Sequence, residues 1–310
     1  MKSVLTIAGS DSSGGAGIQA DIKTIEALGA FAQSAVAVLT AQNTMGVSGA
    51  LNIESSFLQE QIAAVFEDII PQAVKIGILG TKENVSTVAN ALQKYEAKHI
   101  VLDPVMVATS GSSLANNEVV SAMCKELFCL AEIITPNIFE AETLAGYKIT
   151  SKELQEQAAR DLLKYGSSWV LVKGGHSLNE SADSASAENS CANGANGEAN
   201  GANTKDTNNE SADDVLVGKD GSSYWICGNR LQTKNTHGTG CSLSSAIACT
   251  LAFGYNVHEA CIIAKKYVYH AIKDDLELGK GSGPINHMWP HINEKRDIHF
   301  LFEHMLEKAK

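Results

Sequence analysis

The chain has little positive charge. It carries 24 Lys and Arg residues against 35 Asp and Glu residues, which gives a formal net charge of −11. Nucleic acids and anionic membranes bind cationic surfaces, so this balance argues against either one as the main partner. A small phosphorylated ligand is still compatible with the composition, because it needs positive potential only where it binds.

The sequence also lacks the cysteine patterns of a disulfide-stapled or zinc-bound fold. Its seven cysteines are scattered, odd in number and never spaced as CxxC. The apolar run within the first residues, MKSVLTIAGSDSSGG, is too short for a signal peptide or a membrane anchor. These two absences predict a cytoplasmic protein.

Two common nucleotide-binding motifs are missing or incomplete. No G-x-x-x-x-G-K-[ST] occurs, which excludes a P-loop nucleotidase. Residues 15–20 match G-x-G-x-x-A, but the next predicted strand ends at 40–43 without the carboxylate that would hold a ribose, and residues 10–13 lengthen the turn. An NAD- or flavin-dependent oxidoreductase is therefore a minor alternative.

What the sequence does contain is a repeated alternation of short apolar runs and helical patterns. The runs are typical of buried strands, and Thr81 and Ser151 are candidate N-caps of helices. Residues 55–69 are predicted to form a helix whose apolar side carries Phe57, Ile62, Val65 and Phe66. This alternation predicts an α/β fold with a mostly parallel sheet covered by helices on both faces. The predicted strands are 4–9, 34–41, 73–79, 99–105, 132–137, 169–175, one near Val215, and 222–227.

One segment breaks the alternation. Residues 177–212 contain no aromatic residue, no Val or Ile, and a single Leu, together with six acidic residues and one lysine. Such a segment cannot bury enough apolar surface to offset the entropy of ordering it. We predict a single domain over 1–290 interrupted by a disordered insertion at 177–212, followed by a peripheral helical tail at 291–310.

A glycine-rich turn, KNTHGTGCSLSSA (234–246), runs directly into an apolar helix. Gly238, Thr239 and Gly240 have no bulky side chain, so their backbone N–H groups can point at an anion from the start of the helix. Cys241 follows, where the same field should lower its thiol pKa and make it a candidate base. The alternative is that Cys241 is only a small apolar residue in a packed helix. We interpret His237 as a residue that shapes the loop.

Other candidates lie where predicted strands end. Asn137 and Glu140 form an N-x-x-E motif that can hold hydrated Mg²⁺ beside phosphates, although a helix N-cap with a first-turn glutamate is an equally good interpretation. Asp103 ends a strand at the edge where ligands of parallel sheets gather, and ordinary turn chemistry explains it as well. Lys173 can reach a phosphate, or can simply extend to solvent.

Eight blocks of the sequence resemble, in order and spacing, the hydroxymethylpyrimidine/phosphomethylpyrimidine kinases of thiamine biosynthesis, within the ribokinase-like superfamily. The resemblance spans Val4 to about His287 and is interrupted by the insertion. The blocks are TIAGSDSSGGAGIQADIKT, TAQNTMGV, VKIGILG, VLDPVMVATSG, ITPNIFEAETL, VKGGH, NTHGTGCSLSSAIA and GSGPINH.

The resemblance implies a ribokinase-like three-layer sandwich and an ATP- and Mg²⁺-dependent kinase. The enzyme would phosphorylate 4-amino-5-hydroxymethyl-2-methylpyrimidine and then its monophosphate, and would form a homodimer. Cys241 would be the catalytic base, with Gly238 and Gly240 in the anion hole. The remaining assignments are Gln42, Gly9, Asp21, Val105 and Ile78 to the pyrimidine pocket, Asn137, Lys173 and Thr239 to ATP phosphates, and Glu140 and Asp103 to the metal.

The sequence departs from the family pattern at Ile78, where a methionine is frequent, and at Ser12, where a proline is common. The insertion is foreign to the family as well. Two other functions remain open. One is a pyridoxal kinase, because some relatives with this loop phosphorylate that vitamin. The other is a non-catalytic vitamin-binding protein on the same scaffold.

Overall fold

Apolar, β-branched segments form a sheet of nine strands in this computed structural model, which describes residues 1–106, 116–174, 211–292 and 305–307. The strand order is β3-β2-β1-β4-β5-β6-β7-β8-β9. Six neighbouring strands, β2, β1, β4, β5, β6 and β7, are parallel to one another. The strands are β1 Ser3–Asp11, β2 Phe31–Asn43, β3 Gly46–Asn52, β4 Ala73–Ile76, β5 Ile100–Leu102, β6 Ile133–Ile134, β7 Trp169–Val172, β8 Asp214–Gly218 and β9 Ser223–Ile226.

Antiparallel strands flank the parallel strands at both edges of the sheet. β3 pairs with β2 on one side, and β8 and β9 extend the sheet beyond β7 on the other. β3 was not predicted, because its sequence GVSGALN is half glycine and small residues and has no apolar run. The other eight strands coincide with predicted segments, usually within a few residues at each end.

Helices cover both faces of the sheet, as the alternation predicts. Their bounds are α1 Gly17–Ala27, α2 Ser55–Phe66, α3 Lys82–Lys94, α4 Asn117–Ala122, α5 Ile138–Ala145, α6 Lys152–Leu162, α7 Thr239–Ala252, α8 Val257–Lys273 and α9 Trp289–Ile292. A π-helical turn, Met123–Leu127, and two 3₁₀ turns, Phe128–Leu130 and Leu163–Tyr165, complete the described helical segments. In this part of the chain no helix is both long enough and apolar enough to cross a membrane.

Alternating strand residues divide the core in two. In β1, Leu5 and Ile7 pack with α2 to α6 on one face, whereas Val4 packs with α1, α7 and α8 on the other. This period of two is what a strand buried on both faces requires. The three-layer α/β prediction is confirmed.

Two predicted helix N-caps are present, and one predicted helix face is rotated. Thr81 and Ser151 are N-caps, since their hydroxyls accept hydrogen bonds from the N–H groups of Asn84 and Leu154. The predicted apolar side of α2 is wrong in one residue: Phe57 is 55% exposed, and the buried stripe runs through Leu58, Ile62 and Phe66.

The segment predicted as an insertion lies mostly outside the described residues. Its last two residues are described and are held in place: Ser211 pairs with Asn229 across an isolated β-bridge, and the Ala212 carbonyl accepts a hydrogen bond from Lys265. The boundary predicted at 290 falls inside α9, and Met305 is buried in the core beside α8.

Candidate active site

The chemistry-bearing residues meet at one edge of the sheet. Asp11 and Gln42 lie at the ends of β1 and β2, and Asp103, Asn137 and Lys173 directly or closely follow β5, β6 and β7. Because these strands are parallel, their carboxyl ends all reach the same edge, which is where open α/β sheets bind ligands. The glycine-rich turn before α7 crosses this edge.

The first glycine-rich loop, residues 11–17, is organised by its own aspartate. The Asp11 carboxylate accepts hydrogen bonds from the N–H groups of Ser13, Gly15 and Ala16 at 2.8, 3.1 and 2.8 Å. Burial raises the pKa of Asp11, but the hydrogen bonds from His237, Ser13 and Ala16 outweigh it and lower the pKa to about 2. The loop's donors therefore already hold an anion, which leaves them unavailable to a dinucleotide phosphate.

His237 joins this loop to the second one. Its Nε2 lies 2.8 Å from Asp11 Oδ2, and since an ionised carboxylate only accepts, Nε2 carries the proton and donates. The ring also lies against Gly15, where a Cβ would approach within 2.4 Å. These contacts are those of a residue that shapes the loop.

Gly238 sits where no other residue fits. Its φ is +86°, in the left-handed region that favours glycine, and a Cβ would lie 1.9 Å from the Gly15 carbonyl oxygen. The two glycine-rich loops are thus in direct backbone contact. This contact fixes the direction in which α7 begins.

The start of α7 carries open hydrogen-bond donors. Gly238 is the N-cap residue and provides no side-chain cap. Within the described part of the chain, no acceptor faces the N–H groups of Gly240 and Cys241. The first N–H groups of a helix carry partial positive charge, so this end of α7 is suited to hold an anion.

Lys173 and Asp103 lie beside that helix end. A side chain at Gly240 would begin 3.4 Å from Lys173 Nζ and 3.5 Å from Asp103 Oδ2. Lys173 donates to Asp103 Oδ1 at 2.9 Å, and both side chains are largely buried. Although burial lowers the pKa of Lys173, Asp103 and Glu140 raise it above its ordinary value, so the ammonium is charged.

Asn137 and Glu140 form a complete capping box at the start of α5. The Asn137 side chain accepts from the Glu140 N–H at 2.8 Å, and Glu140 Oε2 accepts from the Asn137 N–H at 2.9 Å. Burial is the main cause that raises the pKa of Glu140 to about 7; Lys173 lowers it and Asp103 raises it. The structural interpretation of N-x-x-E is therefore correct, and the carboxyl still faces the ligand edge.

The residues present fit a magnesium ion. Mg²⁺ keeps several waters and is usually held by one or two carboxylates together with substrate phosphates. Asp103 and Glu140 are two buried carboxyl groups next to one lysine, an arrangement with excess negative charge. No cluster of three or more His, Cys, Asp or Glu residues suited to a metal occurs among the described residues, so the protein alone offers no closed metal cage.

Cys241 is half-buried between the two loops, and its predicted pKa shift is wrong in sign. Burial raises the pKa of the thiol to about 11; Lys75 and the nearby N–H of Gly17 lower it, whereas Asp21 and Asp103 raise it. The prediction considered only the field of the helix end. It omitted the low polarity of the site and the two neighbouring carboxylates, which favour the neutral thiol.

The predicted pyrimidine-side residues surround the opposite part of the edge. Gln42 lies with its Nε2 3.5 Å from His237 Nε2, and Ser12 holds its backbone N–H at 2.8 Å. Gly9 and Ile78 are in contact, since a Cβ at Gly9 would meet Ile78 within 2.6 Å. Val105 is half-buried just after Asp103, and the residues that follow, 107–115, lie outside the described part.

Asp21 is placed differently from the other pocket candidates. It is fully buried and forms an ion pair with Lys75, whose Nζ lies 2.8 Å from Asp21 Oδ2. Lys75 was not among the predicted site residues. The signal was available, because a lysine inside the apolar strand AVKI must find a buried partner.

Comparison with known proteins identifies the family of this chain. The family model described as phosphomethylpyrimidine kinase matches residues 11–286. A hydroxymethylpyrimidine/phosphomethylpyrimidine kinase of Haemophilus influenzae is 40% identical over 287 residues, covering 93% of this chain and 97% of that protein. The bifunctional thiamine biosynthesis protein ThiED of Geobacter sulfurreducens is 42% identical over 287 residues. The aligned region covers 92% of this chain and 52% of that longer relative.

Solved structures support the same grouping. The phosphomethylpyrimidine kinase of Clostridium difficile has a TM-score of 0.70 and 39% identity, covering 88% of this chain and all of that one. A pyridoxal kinase of Staphylococcus aureus, in complex with AMP-PCP and pyridoxal, has a TM-score of 0.78 and 29% identity, covering 95% of this chain and 96% of that one. The ribokinase-like fold is confirmed, and the chain belongs to the phosphomethylpyrimidine kinase family.

Proposed function

We propose that this protein is an ATP-dependent kinase of 4-amino-5-hydroxymethyl-2-methylpyrimidine, and then of its monophosphate, in thiamine biosynthesis. The observation that carries the proposal is the order of groups along the ligand edge. Gln42 is at the end of β2, Asp103 and Lys173 follow β5 and β7, and α7, which carries Cys241 in its first turn, packs on the strands between β2 and β7. A thiol thus stands between a place for a heteroaromatic ring and a place for phosphates.

The Gln42 amide can recognise the aminopyrimidine. An amide offers both a donor and an acceptor, which matches the amino group and ring nitrogen at the edge of such a ring. Gly9, Ile78 and Val105 supply the apolar wall around the ring. The first substrate is neutral, so this side of the site needs no net positive charge.

Phosphoryl transfer requires a base for the substrate hydroxyl and stabilisation of the charge that builds on phosphoryl oxygens. Cys241, as thiolate, accepts the proton of the hydroxymethyl group. The N–H groups of Gly238, Gly240 and Cys241 and the Lys173 ammonium stabilise the transferred group. Asp103 and Glu140 would hold Mg²⁺, which would supply neutralisation of the phosphate charge.

The high pKa of Cys241 predicts how turnover depends on pH. With a pKa of about 11, only a small fraction of the thiol is ionised at neutral pH. Turnover should therefore rise with pH in the range below the pKa of Cys241 in the loaded enzyme. A rate that falls from pH 7 to pH 9 would argue against Cys241 as base.

The experiment that tests the function is an ATP-coupled assay with hydroxymethylpyrimidine, its monophosphate and pyridoxal in parallel, with products identified by mass. Sequential mono- and diphosphorylated pyrimidine is the expected result. Pyridoxal phosphate as the main product would favour pyridoxal kinase activity, the second candidate, which the likeness to the Staphylococcus aureus enzyme supports. Pyrimidine binding without any product would favour a non-catalytic vitamin-binding protein.

We also propose that the protein is cytoplasmic, as its scattered cysteines and short first apolar run predict, and that it forms a homodimer, as the family resemblance implies. Exposed apolar side chains on and near the β2–β3 hairpin, including Leu39, Met45 and Leu51, offer a surface for a second copy. Sedimentation equilibrium at micromolar concentration tests the dimer. A monomer across that range would contradict it.

A further inference from the structure

A buried ion pair lies beneath the proposed catalytic residue. Lys75 and Asp21 are both fully buried, and Lys75 Nζ contacts both carboxylate oxygens, at 2.9 Å and 2.8 Å. Two charges are rarely removed from water in this way for stability alone, because the desolvation cost offsets most of their attraction. We therefore expect the Lys75–Asp21 pair to have a role besides stability.

Asp21 connects four elements of the fold. It belongs to α1; its Oδ2 accepts from Thr6 of β1 at 2.6 Å, and its Oδ1 accepts from Ser245 of α7 at 2.8 Å. Lys75 adds β4. Each carboxylate oxygen thus has two protein donors, and the side chain has no exposed surface. This environment suits a residue that fixes its neighbours better than one that touches a substrate.

The register of the two helices places this junction directly below Cys241. Asp21 is four residues after Gly17, whose N–H lies near the Cys241 thiol, and Ser245 is four residues after Cys241. Residues four apart on a helix lie one above the other, with Cβ atoms about 6 Å apart. The hydrogen bond between Ser245 and Asp21 therefore ties the first turns of α1 and α7 at the level just below Gly17 and Cys241.

The pair also sets the charge near the thiol. The charged groups acting on Cys241 are Lys75, Asp21 and Asp103, with Lys173 next to Gly240. Among the three that act on its pKa, Lys75 has the strongest influence, and it lowers the pKa. Burial lowers the pKa of Lys75 itself, but Asp21 raises it far above the ordinary value, so the ammonium is charged at any working pH.

We propose that Asp21 and Lys75 are positioning residues for Cys241: Asp21 locks the starts of α1 and α7 together through Ser245, and Lys75 provides a fixed positive charge that favours the thiolate. The pair acts through Cys241 and does not touch the substrate. This inference rests on the proposed role of Cys241 as base, and it replaces the earlier assignment of Asp21 to the pyrimidine pocket.

The test measures the reactivity of the Cys241 thiol, which needs no substrate. The rate of iodoacetamide alkylation at Cys241 is followed at pH 8 by peptide mass spectrometry in the parent, Lys75→Met and Ser245→Ala. A unit charge close to a thiol in a partly buried site changes the ionisation of the thiol by about 10- to 100-fold. We expect Lys75→Met to lower the alkylation rate by that factor and Ser245→Ala, which keeps both charges, to stay within twofold of the parent.

Ser245→Ala distinguishes an electrostatic role from a merely structural one, because it removes a hydrogen bond of Asp21 and no charge. Exposed Cys129 serves as internal control in every sample, and its alkylation rate should not differ among the variants. A Cys241 rate in Lys75→Met that stays within twofold of the parent, or a rate in Ser245→Ala that falls as far as in Lys75→Met, would overturn the charge role.

Removal of one partner of a buried ion pair can prevent folding, so a second variant is needed. Lys75→Met/Asp21→Asn removes both charges, which buried sites tolerate better. Because Lys75 influences Cys241 more than Asp21 does, this variant should alkylate more slowly than the parent. An equal or faster rate would contradict the proposal.

The positioning role has its own readout in catalysis. Ser245→Ala leaves both charges in place but frees α7 from Asp21, and it should lower kcat about tenfold while KM changes less than twofold. The matched control is Thr250→Val on the same helix, whose hydroxyl bonds to the Ala246 carbonyl within α7. Equal kcat values in the two variants would overturn this role. If the parent phosphorylates no substrate, the proposed function fails, while the alkylation rates still decide the charge role.

Discussion

The two glycine-rich loops of this protein look alike in sequence and differ in what their donors face. In the first loop, the N–H groups of Ser13, Gly15 and Ala16 all point at the Asp11 carboxylate. In the second, the N–H groups of Gly240 and Cys241 face no acceptor in the described part of the chain. One loop therefore carries its own anion, and the other is left with donors for an external one.

This difference shows why a glycine pattern alone does not identify a phosphate site. Glycines allow a backbone to approach an anion, but an aspartate inside the same turn can take that place. In this protein the first loop supports the second through His237 and Gly15, and the second loop begins the helix that carries Cys241. Substitutions in each loop can separate a structural role from a chemical one.

The largest effect is expected at the end of the second loop. Cys241→Ala should lower kcat by about 10²- to 10⁴-fold, the range for loss of a positioned base, and should leave pyrimidine affinity nearly unchanged. Steady-state kinetics and calorimetry measure the two quantities. Cys249→Ala, in the same helix but fully buried away from the edge, is the control and should keep its activity. Parental turnover in Cys241→Ala would mean that this thiol only packs.

The next effect concerns the contact between the loops. Gly238→Ala should lower kcat by about 10²-fold, because a Cβ 1.9 Å from the Gly15 carbonyl forces the start of α7 and its donors to move. Gly254→Ala is matched to it: φ is +96° at the other end of α7, but no atom lies within 4 Å of the added Cβ. That variant should lose only about 1 kcal/mol of stability through backbone strain and keep its kcat. Similar kcat losses in both would refute the clash as the cause.

A smaller, pH-dependent effect is expected in the first loop. The pKa of Asp11 is lowered from 3.8 to about 2 in the fold, so its carboxylate stabilises the protein above pH 4, and this contribution is lost as the pH falls through 2. Asp11→Asn should lower the free energy of unfolding by about 2 kcal/mol at pH 7, and the difference from the parent should shrink near pH 3.

Urea unfolding at pH 7, 5 and 3 measures this dependence. Asp220→Asn is the control, because Asp220 caps an exposed turn where solvent screens its interactions, and its stability difference should be small at every pH. A pH-independent difference for Asp11→Asn would indicate that shape, and not charge, holds the first loop.

The smallest effect is expected at Gln42, which touches both loops through Ser12 and His237. Gln42→Ala should weaken pyrimidine binding about tenfold, the value of one net hydrogen bond, while kcat stays within threefold. Calorimetric titration with hydroxymethylpyrimidine measures the affinity. An unchanged affinity would remove Gln42 from the pocket.

Contiguous patterns made much of the fold and part of the site predictable. Eight of nine strands, the helix caps at Thr81 and Ser151, and the turn that ends in Cys241 each depend on residues close together in the chain. β3 was missed because small residues and glycine give no periodic signal. Phe57 was misplaced because a one-residue rotation of a helix turns a side chain out of the core.

Patterns local to the chain were enough to predict the alternation of strands and helices, the edge at which the candidate residues collect, and the glycine turn that starts α7. Contacts between distant segments set which donors stay open, how Asp21 and Lys75 pair across α1 and β4, and the sign of the Cys241 pKa shift. The physical reason is that hydrogen bonds, burial and charge act through space between segments distant in the chain, whereas a sequence pattern reports only what neighbours along the chain can form.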